Sequence, residues 1–219
     1  MRILLTGATG LVGQGVLREC LRDPGVEHVV ALGRRPSGRH DARLVDLVIP
    51  DFVRDIGSVE DRLQPFDACL YCAGAPPVGT PADAYRRTTV DATLAVASTL
   101  ARLNPRLVFV YISGAGSNPD SPLMPLRVKG EAERALAALP MRTVMLRTGG
   151  IQPVGGEQSP HPTLAMLYRY SGPLMDMGVR ALPQLMTTTE RVGRAMLALA
   201  RQPEPPAVVE NAEINRLGS

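Results

Sequence analysis

The sequence predicts an α/β protein on a doubly wound parallel sheet, a Rossmann fold, and three observations carry that prediction. Short apolar, β-branched runs alternate with longer segments of helical spacing, the first run turns through three spaced glycines into a helix, and Gly, Pro or Asp punctuate the runs. Strands separated by helices lie parallel, joined by right-handed crossovers. At 219 residues, 45% of them apolar, the chain has the length and core material of one α/β domain. Residues 1–219 are therefore expected to form one domain, with 149–219 adding a cover over the substrate side.

The first strand is read at 2–6 (RILLT), and the helix after the glycines from Leu11, Val12, Val16, Leu17, Cys20 and Leu21. Further strands are read at 28–33 (HVVALG), 43–49 (RLVDLVI) and 67–72 (DACLYC). An Ala-rich stretch, 81–103, has helix-forming composition, with Tyr85, Val90, Leu94, Ala97 and Ala101 near helical spacing. A fifth strand at 106–113 (RLVFVYIS), a helix at about 126–139 and a sixth strand at 142–147 complete the alternation. Beyond residue 149 the chain is rich in Gly, Pro and Met, with a helical stretch at about 163–175. Thr187, Thr188, Thr189 and Glu190 read as a cap for a helix at 191–201, and a Pro-rich connector leads to a last short strand at 207–210.

The charge balance, 24 basic against 21 acidic residues with no Trp and no basic block, leaves little footprint for nucleic acid. No apolar run approaches the roughly 20 residues needed to span a bilayer, so no membrane partner is expected. A strand starting at residue 1, with no secretory signal, gives the expectation of a cytoplasmic protein. Three cysteines are too few for a disulfide framework, and Cys69 and Cys72, three apart within a strand, point to opposite faces and argue against a redox pair. No metal site is expected. Oligomeric state is not read from the sequence.

Gly7, Gly10 and Gly13 are spaced G-x-x-G-x-x-G between strand and helix. Glycine lets the backbone turn tightly and approach a pyrophosphate, and the N–H groups and dipole of the helix start stabilise its charge. Gly7, Thr9, Gly10, Leu11, Val12 and Gly13 are thus the candidate pyrophosphate-binding turn of NAD or NADP, with a ligand-free glycine turn as the alternative. In such a fold the end of the second strand meets the adenosine ribose: an acid there bonds the 2′-hydroxyl, whereas arginine suits a 2′-phosphate. Here stand Arg34 and Arg35, so NADP(H) is expected ahead of NAD(H), unless the two are simply exposed loop charges.

The segment Thr6-Gly-Ala-Thr-Gly-Leu-Val-Gly13 resembles the short-chain dehydrogenase/reductase superfamily, and within it the extended and atypical members, the NAD(P)-dependent epimerase/dehydratase-like and Tat-interacting-protein-like proteins. The resemblance implies Asp51 and Phe52 beside the adenine, with Asp51 meeting its amino group, and Ala73 and Gly74 over the cofactor ribose. It implies that Gly149, Gly150 and Ile151 present backbone to the nicotinamide carboxamide, although Thr148 replaces the family's usual proline. Asp91 falls near a family helix-four polar position, and a helix-surface acid explains it equally well.

The resemblance also makes Ser113 the candidate catalytic serine and aligns Lys129 with the lysine of the family's Y-x-x-x-K segment, bonding the nicotinamide ribose. Residue 125, where the tyrosine belongs, is proline. That tyrosine is the general acid/base, and losing a positioned one costs about 10²–10⁴-fold in rate. Tyr168, Tyr170 or His161 are candidates to replace it, whereas Tyr111 is displaced by about 6.5 Å along the strand. The expectation is an NADP(H)-binding atypical oxidoreductase acting on a small carbonyl, alcohol or sugar-like substrate. Two alternatives stay open: a non-catalytic NADPH sensor acting through a partner, and an epimerase without net cofactor turnover.

Overall fold

The computed structural model describes residues 1–63, 65–157, 179, 182 and 184–219. Its sheet contains β1 (Arg2–Thr6), β2 (His28–Gly33), β3 (Leu44–Val48), β4 (Ala68–Tyr71), β5 (Val108–Gly114), β6 (Arg142–Thr148) and β9 (Val208–Glu210). They lie in the order β3-β2-β1-β4-β5-β6-β9, every pairing parallel, which is the doubly wound sheet the alternation predicts. Gly150–Gln152 (β7) pairs with Met186–Thr188 (β8) in a separate two-stranded sheet, which the sequence pattern does not announce.

Alternate residues of each strand feed the two cores. Leu4, Cys69, Phe109 and Tyr111 face α2 (Phe52–Asp55), α4 (Ala92–Leu103) and α5 (Met124–Ala137). Ile3, Leu5, Val110 and Leu146 face α1 (Leu11–Arg22), α6 (Thr189–Ala200) and α7 (Asn211–Leu217). Burial on both faces explains why the strands read as continuous apolar runs rather than alternating ones.

The predicted helix 81–103 is divided. α3 (Ala82–Arg86) passes through a π-helical turn at Arg87–Asp91 before α4 begins. The Thr88-Thr89-Val90 run is β-branched and unfavourable for a helix, and the Thr88 hydroxyl donates back to the Ala84 carbonyl at 2.9 Å. Such π turns are rare and occur frequently at functional sites. At the C-terminal end, Thr188 caps α6 by accepting from the Arg191 N–H at 3.1 Å, as the Thr-rich segment predicts.

Candidate functional site

The glycine turn closes on itself at the C-terminal ends of β1 and β4. Gly7 has φ +72°, and a Cβ there would lie 2.5 Å from the Cys72 carbonyl carbon. A Cβ on Gly13 would lie 1.9 Å from the Gly7 carbonyl oxygen, so the turn and the first turn of α1 touch only because both residues are glycine. The Thr6 hydroxyl accepts from the Cys72 and Ala73 N–H groups, each at 3.2 Å, and ties the end of β4 to that of β1. Gly10 is the N-cap of α1 and offers no side chain to the helix's first N–H groups.

Beside this turn opens a cavity of about 310 Å³. Of the residues singled out by sequence, Gly7, Thr9, Gly10, Arg34, Arg35, Asp51, Phe52, Ala73 and Gly74 line it. A Cβ at Gly74 would meet nothing within 4 Å, so this residue borders open space. Leu11, Val12 and Gly13 form the first turn of α1 behind the lining. Arg34 and Arg35 are exposed at the end of β2. Arg87 and Thr88, from the π turn, complete the wall. Sequence reading missed them because it drew one unbroken helix there; the Thr-Thr-Val run was the available signal.

Asp51 is the N-cap of α2. Its Oδ1 accepts from the Val53 and Arg54 N–H groups at 2.8 and 3.2 Å, and its Oδ2 accepts from Arg87 Nη2 at 2.7 Å. The Arg87 guanidinium, helped by the two backbone donors, holds the Asp51 carboxyl down at about 2.

Ser113 and Lys129 lie together but outside the cavity lining. The Ser113 hydroxyl donates to Glu133 Oε1 at 2.5 Å and lies 3.0 Å from the Ser117 hydroxyl. Arg147 donates to both oxygens of the same carboxylate, at 3.1 and 2.7 Å, and to Glu210 at 3.2 Å. Lys129 Nζ donates to the Ile112 carbonyl at 3.1 Å and stands 5.6 Å from the Tyr111 ring centre. Burial pushes the Lys129 ammonium down to about 8, against the pull of Glu133. Pro125 occupies the first turn of α5, where its missing N–H costs nothing, four residues before Lys129 and on the same helix face.

The backbone N–H groups of Gly149 and Gly150 are engaged within the protein, donating to Asn211 Oδ1 at 2.9 Å and to the Leu185 carbonyl at 2.8 Å; Ile151 pairs with Thr187. The Gly149 and Gly150 amides are therefore not free for a carboxamide in this arrangement. Asp91 pairs with Arg86 at 3.1 Å. His161, Tyr168, Tyr170 and the helical stretch at 163–175 lie outside the described residues. All three cysteines are free thiols, and burial pushes Cys69 and Cys72 well up and Cys20 up to about 12.

Residues 3–133 match the model of the NAD dependent epimerase/dehydratase family. Protein FMP52, mitochondrial, of Kluyveromyces lactis is 30% identical over 156 residues, covering 69% of this chain and 67% of that protein. Its namesake in Eremothecium gossypii is 29% identical over 219 residues, covering 98% of this chain and 96% of that protein. Among solved structures, UDP-glucuronic acid 4-epimerase from Bacillus cereus, in complex with NAD, superimposes with a TM-score of 0.70 at 18% identity, covering 95% of this chain and 76% of that one. At that identity the likeness shows the fold. Five curated relatives are each named as mitochondrial proteins, which overturns the expectation of a cytoplasmic protein. An opening strand carries no information about compartment.

Proposed function

Because this chain belongs to the NAD dependent epimerase/dehydratase family, we propose that its cavity holds NADP(H) and that the protein is an atypical oxidoreductase acting on a small carbonyl, alcohol or sugar-like substrate. The observation that carries this reading is the pair Arg34 and Arg35 on the cavity wall, at the end of the strand next to the glycine turn. The residues present fit the group. Gly7 and Gly13 make a cradle that a single Cβ would fill, and the uncapped start of α1 offers N–H donors to a pyrophosphate. Two guanidiniums suit a 2′-phosphate by charge and by planar, bidentate bonding.

When bound, the nicotinamide supplies or accepts hydride. The chain contributes binding, orientation and the proton. Lys129, one turn after Pro125, supplies a cation near the end of β5 for the nicotinamide ribose. Ser113 donates its proton to Glu133, so the proton exchanged with substrate is carried by water or by a group other than this hydroxyl.

A second reading, an NADPH-binding sensor that acts through a partner, is favoured by Pro125 together with the engagement of Ser113. Calorimetric titration of ligand-stripped protein with NADPH and NADH tests the shared part: tighter NADPH binding supports it, and binding of neither overturns it. Continuous loss of reduced-nicotinamide absorbance with a panel of small aldehydes and ketones then supports the oxidoreductase. Binding without net turnover leaves the sensor, or an epimerase recognised by product analysis.

A further inference from the structure

The family resemblance gives Asp51 to the adenine amino group, yet this carboxylate already accepts three hydrogen bonds within the protein. A carboxylate offers about four acceptor positions. On Asp51 three of these accept hydrogen bonds, from the Val53 and Arg54 N–H groups and from Arg87 Nη2 at 2.7 Å, and the Arg54 guanidinium adds an ion-pair contact with Nε 3.4 Å from Oδ2. The two backbone bonds fix the start of α2, so the carboxylate cannot turn toward a ligand without uncapping that helix. Arg87 reaches it from the π turn after β4, 36 residues away in sequence. In the sheet β3 and β4 lie on either side of the β2–β1 pair, so the ion pair joins a segment that follows β3 to one that follows β4, both lining the cavity.

The Arg87 side chain is 52% exposed and lines the cavity. A guanidinium held at its edge by a carboxylate keeps its flat faces available, and a flat cation is a favourable surface for an aromatic ring. Phe52 and Val53 of α2 line the same opening. The cavity thus offers the adenine a face, while the carboxylate that would read its edge is largely committed to the α2 N–H groups and Arg87.

We infer that Arg87 is a nucleotide-binding residue, a cationic wall on which the adenine ring lies, and that Asp51 is a positioning residue that holds it rather than the acceptor for the adenine amino group. This rests on the dinucleotide reading of the cavity proposed above. It makes Arg87 a contributor to the affinity of NADPH and NADH alike, and it makes recognition of the purine indifferent to the exocyclic amino group.

The test is titration of the full chain with NADH, NADPH, the hypoxanthine analogue of NADH and nicotinamide mononucleotide. The wild type is expected to bind NADH and its hypoxanthine analogue within about threefold of each other, because a good edge hydrogen bond to a charged group is worth more than that. R87A and R87K are both expected to weaken NADH and NADPH by about threefold to thirtyfold, and to leave nicotinamide mononucleotide unchanged. Lysine keeps the charge opposite Asp51 but not the plane. D51N should weaken NADH in the wild-type background and add little in R87A, since its effect passes through Arg87. Arg87 is exposed, so the fold of its variants is secure and is checked by circular dichroism. Wild-type affinity in R87A, restoration by R87K, or a hypoxanthine analogue more than threefold weaker than NADH would each overturn the inference while leaving the dinucleotide site standing. No binding of any dinucleotide by the wild type overturns both.

Discussion

Ser113, at the end of β5, and Glu133, on α5, meet at 2.5 Å, with the serine hydroxyl donating and both residues buried. Arg147 on β6 closes the other side of the carboxylate with two bonds, so three elements are fastened at one buried charge. Ser113 is the residue that family resemblance makes catalytic, and here its proton already has an acceptor. Ser113→Ala is expected to cost about 2 kcal/mol of stability, the range for a hydrogen bond to a charged group. Glu133→Ala, which leaves Arg147 with Glu210 alone and removes the Ser113 acceptor, should cost about 3 kcal/mol. NADPH affinity should stay within twofold in Ser113→Ala. Denaturant unfolding with parallel titrations checks both; an unchanged unfolding midpoint with lost turnover would return Ser113 to a catalytic role.

Arg34 and Arg35 stand on the cavity wall next to the glycine turn. If they receive a 2′-phosphate, the double charge reversal Arg34→Glu with Arg35→Glu removes charge-assisted bonds from NADPH and adds repulsion, while NADH loses little. NADPH affinity should fall by about 10²-fold, as for loss of one or two hydrogen bonds to a charged group. Its affinity in the unmutated protein should also fall with added salt more steeply than that of NADH. Equal weakening of the two nucleotides would place the arginines away from the phosphate.

The sheet and most helices are legible in the sequence because burial on both faces leaves unbroken apolar strands, and because the Gly7 to Gly13 turn fixes the first crossover. The less legible parts are decided by tertiary partners. The π turn at Arg87–Asp91 sits in an Ala-rich stretch of helical composition, where the β-branched Thr88-Thr89-Val90 run is a weak local signal and the Thr88 back-bond accompanies the break. β7 and β8 are three residues each and pair across a long stretch of chain, below what periodicity can register. Along the cavity lining, the glycines, Arg34 and Arg35 were legible by residue type, and Arg87 was not. The engagement of Asp51 by Arg87, of Ser113 by Glu133, and of the Gly149 and Gly150 amides by Asn211 and Leu185 was not legible either, because each joins segments distant in sequence.

Pro125 sits one turn before Lys129 in α5. A tyrosine there would project from the same face, with the half-buried ammonium nearby to favour its phenolate. Pro125→Tyr is therefore expected to raise reduction of small carbonyls by NADPH, up to the 10²-fold that a positioned acid commonly provides. Reduced-nicotinamide absorbance measures it. No gain, in a variant that still binds NADPH, would mean that the space before Lys129 does not admit a substrate carbonyl.

Lys129 also leaves a signature in stability. Its ordinary value is 10.5, and in the fold burial pushes it down to about 8, with Glu133 opposing. Below about pH 8 both folded and unfolded chains carry the proton, and the full cost of burying the ammonium falls on the fold. Between 8 and 10.5 the unfolded chain holds a proton that the folded chain has released, so this contribution to stability rises with pH, and above 10.5 the cost is gone. Cys20 and the buried tyrosines are pushed the other way and act oppositely at high pH. The test is consequently a difference: unfolding free energy of the wild type minus that of Lys129→Met, in which the shared titrations cancel. That difference should be flat from pH 6 to about 8 and climb toward pH 10.5. A flat line throughout would mean that the ammonium reaches water and titrates as in the unfolded chain, and the case for Lys129 as a desolvated cation at the end of β5 would fail with it.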